Sequence, residues 1–133
     1  MNRLVIIDDE IQSRNGIAEI FRNHSPQWEI VSLFEDGSQA LEYLLQHPEI
    51  NLIVTDIRMP KCDGLELISR IRQYNKLIPI IIISGYSEFS YAKKAVDYQV
   101  FRYIVKPILP SEFDAVITSV ENFFRLEDDP FNE

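Results

Sequence analysis

Short, wholly apolar runs alternate along the chain with longer stretches in which apolar residues recur at helical spacing. The runs fall at residues 4–7, 30–34, 52–55, 80–84 and 101–105. Continuous apolar runs of this length predict strands covered on both faces, as in a parallel sheet. The run Ile80-Ile81-Ile82-Ile83 is so apolar and β-branched that it belongs inside the sheet, and Pro79 stands at its start, where a missing N–H is tolerated.

Between the runs, residues 11–23 bring Ile17, Ile20 and Phe21 onto one stripe, and residues 38–46 do the same with Leu41, Leu44 and Leu45. The stretches 65–74, 88–98 and 111–124 carry comparable stripes, with Ser111 as the expected N-cap of the last and Pro110 just before it. Five strands, each followed by a helix and joined by short loops, predict an α/β fold. Its parallel sheet is doubly wound, with helices on both faces, because parallel neighbours need helical crossovers.

Length narrows this to one domain: 133 residues suffice for a single core and are too few for two ordinary ones. Residues 1–125 form the expected domain, and 126–133, with four acids and a proline, the expected acidic linker or tail. The formal net charge is -8, and from Pro110 onward seven acids face the single base Arg125, which argues against a general nucleic-acid surface. Cys62 is the only cysteine, so neither an internal disulfide nor a multi-cysteine metal framework is available. Four apolar residues before Asp8 are too few for a membrane span, and the chain reads as cytoplasmic.

In a doubly wound sheet, ligands bind outside the carboxyl ends of the strands. Here the first strand ends in Asp8-Asp9, the third in Thr55-Asp56, the fourth in Ser84-Gly85 and the fifth in Lys106-Pro107. Three carboxylates converging on one edge repel unless a counter-charge is present. A divalent cation relieves that conflict, and Mg²⁺, which takes oxygen ligands and keeps waters, suits the set better than Zn²⁺. Lys106 offers a positive charge for the oxygens of a transferred phosphoryl group, Ser84 a hydroxyl donor, and a carboxylate can be the nucleophile. Taken singly, each acid reads equally well as a helix cap, and Lys106 as a solvated lysine at the open edge.

With Asp56-Ile57-Arg58-Met59-Pro60, Asp63-Gly64 and Tyr103-Ile104-Val105-Lys106-Pro107 added in this order, residues 3–124 resemble the receiver domains of two-component response regulators. The resemblance implies a flavodoxin-like sheet of order 2-1-3-4-5, with Asp56 as the phosphoacceptor for a sensor histidine kinase. It implies Mg²⁺ held by Asp9, Asp56 and the Arg58 carbonyl, with Asp8 acting mainly through water. Lys106 and Ser84 then contact the phosphoryl group, Tyr103 is the aromatic switch paired with Ser84, and the Lys106–Pro107 peptide is cis. Ser84-Gly85-Tyr86-Ser87-Glu88-Phe89 and Tyr91-Ala92-Lys93-Lys94-Ala95 are similar to regulators with an AraC-type helix-turn-helix output. DNA binding and control of transcription would then belong to an output domain outside this chain. Tyr86, Phe89 and Tyr91 supply aromatic surface for a homodimer on activation.

Three other readings stay open on the residues alone. An aspartyl-phosphate phosphatase of the haloacid dehalogenase class wants Asp-x-Asp after the first strand, whereas Asp8-Asp9-Glu10 is followed by Ile11. A flavin binder wants a Ser/Thr/Gly-rich phosphate loop there. A receiver-like interaction module would need no complete acid, serine and lysine set.

Overall fold

Each apolar run forms a strand, and each strand feeds a helix. The order is β1 (Asn2–Ile7), α1 (Ile11–His24), β2 (Trp28–Phe34), α2 (Gly37–Gln46), β3 (Leu52–Thr55), α3 (Gly64–Tyr74), β4 (Ile80–Ser84), α4 (Phe89–Asp97), β5 (Arg102–Val105) and α5 (Pro110–Asp128). A computed structural model describes residues 1–85 and 89–128. The Tyr86-Ser87-Glu88 part of the AraC-like segment, the Phe89 side chain and the last five residues of the expected tail (129–133) lie outside the described residues.

All strand pairs are parallel and the order is β2-β1-β3-β4-β5, the flavodoxin-like order expected. The isoleucine run lies between β3 and β5 and is wholly buried. Alternation along the strands sorts the core into two layers. Val5, Ile7, Ile53, Ile80 and Ile82 pack with α2, α3 and α4, while Leu4, Ile6, Leu52, Val54, Ile81 and Ile83 pack with α1 and α5. Phe21 of α1 meets Trp28 of β2 and Phe113 of α5 edge-on, with centroids 5.2 and 5.6 Å apart. Two such contacts are worth roughly 0.5–1.5 kcal/mol each beyond the area they bury.

Element ends differ from the sequence expectation where backbone pairing outruns apolar character. β1 and β2 extend to Asn2 and Trp28, and Asn2 N–H donates to the Gln27 carbonyl at 2.9 Å. α5 starts at Pro110, not after a Ser111 cap. Phe113 N–H donates to the Leu109 carbonyl at 3.0 Å, so Leu109 holds the capping position. Proline suits the first helical position because it has no N–H to leave unpaired there. α5 also continues to Asp128, carrying Leu126, Glu127 and Asp128 of the expected tail as helix.

The glycines at the starts of α2 and α3 are there for space. A Cβ on Gly37 would stand 2.2 Å from the Cys62 carbonyl oxygen, and one on Gly64 2.0 Å from the Asp56 carbonyl oxygen. The loop between β3 and α3 is thereby pinned at both ends. Gly64 N–H donates to Ile57 O at 2.7 Å and Gly37 N–H to Cys62 O at 3.1 Å.

Candidate functional site

Parallel registry brings the strand ends level: Ile7 pairs with Thr55, Thr55 with Ile82, and Ser84 with Val105. The next residue of three strands continues the ladder by one bond. Asp8 N–H donates to Phe34 O at 3.0 Å, Asp56 N–H to Ile7 O at 2.9 Å and Lys106 N–H to Ser84 O at 2.8 Å. These side chains are therefore placed by sheet backbone and not by loops, which gives the site a rigid base.

The carboxylates of Asp8, Asp9, Glu10 and Asp56 each offer an oxygen within 4.8 Å of the others, a grouping able to hold a metal ion. Asp9 and Glu10 face solvent, whereas Asp8 is 1% exposed and Asp56 6%. Lys106 Nζ donates to Asp8 Oδ2 and Asp56 Oδ2, each at 3.1 Å, and more weakly to Glu10 Oε1 at 3.4 Å. Its side chain is 19% exposed, so it keeps partial contact with solvent at the open edge. The two buried carboxylates draw it inward.

Burial, and then the charge of Asp8, raise Asp56 above its ordinary value. The Ile57 N–H that Asp56 Oδ1 accepts at 2.6 Å, and the Lys106 ammonium, only partly offset this. Lys106 is shifted upward: burial opposes its charge, but Asp56 and Asp8 outweigh burial. One ammonium between two buried acids leaves the site short of positive charge, which is what a cation-binding carboxylate set requires.

Of the other residues read from the sequence, Ser84 ends β4 fully buried and is tied through its carbonyl to Lys106. Tyr103 pairs with Ile82 across β4 and β5, half-buried against the α2–α3–α4 layer. Arg58 is exposed. Its Nε donates to the Tyr91 hydroxyl at 3.0 Å, with the guanidinium 5.7 Å from that ring's centroid, so its side chain reaches α4. The Lys106–Pro107 peptide is cis. Asp63 caps α3 by accepting from Glu66 N–H at 2.8 Å, whereas Asp8 and Asp56 cap no helix in that way.

Three participants escaped the sequence reading. Glu10 joins the acid cluster, a role its place beside two aspartates could have suggested. Ser13 Oγ donates to Asp8 Oδ2 at 2.6 Å, and Arg14 Nη1 to the Asp8 carbonyl at 2.7 Å. Neither carries a motif. A cavity of about 610 Å³ between α1 and the start of α5 meets the site only at Ser13 and Lys106. Among the described residues, no helix is long and apolar enough to cross a membrane.

Residues 4–118 match the family model described as the response regulator receiver domain. The chain is 32% identical over 121 residues to the transcriptional regulatory protein YesN of Bacillus subtilis, covering 91% of this chain and 32% of that protein. It is 32% identical over 118 residues to the transcriptional regulatory protein HptR of Staphylococcus aureus, covering 88% and 45%. The chain thus spans less than half the length of these relatives. Among solved structures, the receiver domain of AraT, a response regulator from Geobacillus stearothermophilus, superposes with a TM-score of 0.85 at 35% identity, covering 96% of this chain and 98% of that one. On its fold, its level strand ends and this match, the chain belongs to the response regulator receiver domain family.

Proposed function

We propose that this receiver domain takes a phosphoryl group on Asp56 from a sensor histidine kinase and passes the change to an output. The observation that carries the reading is the single ammonium of Lys106 held 3.1 Å from both buried carboxylates, Asp8 and Asp56. The donors around it are all oxygens, which fits Mg²⁺ and argues against Zn²⁺. Asp9, Asp56 and the Arg58 carbonyl would hold the ion, with Asp8 acting through water. Bound there, Mg²⁺ supplies positive charge to the phosphoryl oxygens.

The rest is the work of the chain. The Asp56 carboxylate is the nucleophile; its oxygen bonds to phosphorus as the bond to the kinase's histidine nitrogen breaks. Lys106 turns from the carboxylates to the new phosphoryl oxygens, and Ser84 donates its hydroxyl to them. Movement of Ser84 at the end of β4 lets Tyr103 turn inward, and the face of α4 and β5 rearranges, a surface for a homodimer on activation. Both arrangements pre-exist, and phosphorylation shifts their ratio.

The relatives' names support control of transcription through an output domain, with AraC-type DNA binding as the subgroup reading. The acidic chain itself is not expected to bind DNA. Residues 1–125 serve as the receiver unit in the cytoplasm, and 126–133 as an acidic linker or tail, of which 126–128 prolong α5.

Intact mass after incubation with acetyl phosphate and Mg²⁺ tests the core of this: one phosphoryl group is gained, and Asp56→Asn gains none. NMR of the beryllofluoride-treated protein tests transmission. Shifts should extend through Ser84, α4 and residues 101–106, and Ser84→Ala should uncouple them while Asp56 still reacts. Shifts confined to Asp8, Asp9, Asp56 and their neighbours would overturn the route.

A further inference from the structure

Asp8 is almost fully enclosed, and both of its carboxylate oxygens accept hydrogen bonds. Oδ1 takes the Glu10 N–H at 2.9 Å, and Oδ2 takes the Ser13 hydroxyl at 2.6 Å and Lys106 at 3.1 Å. The short Ser13 contact has the length of a charge-assisted bond to an ionised carboxylate. Its geometry is unusual for a serine in a first helical turn. Such hydroxyls ordinarily cap the helix or bond back to its own carbonyls, yet α1 starts at Ile11 and its N-cap residue, Glu10, makes no side-chain cap. Two polar side chains of this turn, Ser13 and Arg14, are directed at Asp8 instead.

We propose that Ser13 is a positioning residue of the acid site: its hydroxyl fixes the Asp8 carboxylate and shares the buried charge that Lys106 must release. The proposal rests on the receiver reading. When Lys106 turns to a phosphoryl group, Asp8 at 1% exposure loses its cation. The Ser13 hydroxyl and the Glu10 amide then remain as its donors. Without Ser13, Lys106 is the one side-chain partner left to Asp8 among the described residues, and Asp8 gains rotational freedom and holds that lysine more firmly against an incoming cation. Both effects weaken Mg²⁺ binding. A hydroxyl is needed, and threonine supplies one at the same position.

The test is a titration of the whole chain with Mg²⁺ alone, followed by amide NMR shifts, in wild type, Ser13→Ala, Ser13→Thr and Asp9→Asn. Ser13→Ala should bind Mg²⁺ roughly tenfold more weakly, the scale of one hydrogen bond to a charged group. Ser13→Thr should return to within about twofold of wild type, and acetyl phosphate should modify Ser13→Ala fully once Mg²⁺ saturates. A purely structural serine would lower the melting temperature and leave Mg²⁺ affinity alone. Should Ser13→Ala not fold, Ser13→Cys, with a similar shape and a weak donor, replaces it and is expected to show the same loss. Wild-type affinity in Ser13→Ala, with binding lost in Asp9→Asn, overturns this proposal alone. Failure of Ser13→Thr to recover also overturns it. Absence of Mg²⁺ binding in the wild type overturns the receiver reading of the site and the proposal with it.

Discussion

Lys106 and Asp56 end strands that are separated by the whole width of β4, yet the lysine ammonium lies 3.1 Å from Asp56 Oδ2. The bridge closes over the end of Ser84, whose carbonyl takes the Lys106 N–H at 2.8 Å. The lysine is thus both a functional candidate and the main counter-charge of two buried acids.

Lys106→Ala should therefore fold but lose stability in the absence of metal, by about 1–3 kcal/mol, because Asp8 and Asp56 are left buried without a cation. Mg²⁺ should restore most of the loss. Thermal melts with and without Mg²⁺ measure both; an equal drop in the two conditions would show that packing and not charge is at stake.

Asp56→Asn should stabilise the metal-free protein by on the order of 1 kcal/mol near neutral pH, since it removes a buried charge beside Asp8. The sign follows from linkage. With its native pKa raised, Asp56 adds stability below its unfolded pKa, and that contribution is lost as pH rises through the higher native value. Denaturant melts from pH 4 to 7 should show this segment of pH dependence flattened in Asp56→Asn; an unaltered profile would contradict it.

Gly64→Ala should cost roughly 3 kcal/mol and impair phosphorylation, because the added carbon would lie 2.0 Å from the Asp56 carbonyl oxygen and displace the site's own backbone. Gly16 provides the contrast: it lies within α1 and nothing stands within 4 Å of its added carbon. Gly16→Ala should stabilise by about 0.5–1 kcal/mol through helix propensity. Urea melts of the two variants should move in opposite directions.

His24 joins α1 to α5 with both ring nitrogens, Nδ1 to Asp114 at 3.1 Å and Nε2 to Glu121 at 3.0 Å. Only the imidazolium has a proton for each. Burial works against its charge, but the bonds and charges of Glu121 and Asp114 prevail and hold its pKa above the ordinary value. The sign is the reverse of a paired acid's: the stability is fully present below the unfolded pKa and lost as pH rises through the folded one. About 1 kcal/mol should disappear on moving to mildly alkaline pH, a modest figure because Asp114 is half exposed. The single tryptophan, Trp28, donates to Glu121 at 3.0 Å, so its fluorescence should titrate with His24 and stop titrating in His24→Gln.

The apolar runs and helical stripes were legible in the chain because strand and helix periods are local properties. The polar residues closing each run marked the candidate site for the same reason, and the order of Asp8-Asp9, Asp56, Ser84 and Lys106 carried the family resemblance. What the sequence could not hold was distance. That Glu10 joins the acids, that Ser13 and not a cap partner takes Asp8, and that Gly64 lies against Asp56 O depend on residues brought together by the sheet and its crossovers. The counter-charge role of Lys106 is of the same kind, since its 3.1 Å contacts exist only once the buried carboxylates that follow β1 and β3 are set beside it. Periodicity decides which face of an element is apolar. Only parallel registry, which levels the ends of strands distant in the chain, decides which charges must share one small volume and compensate each other there.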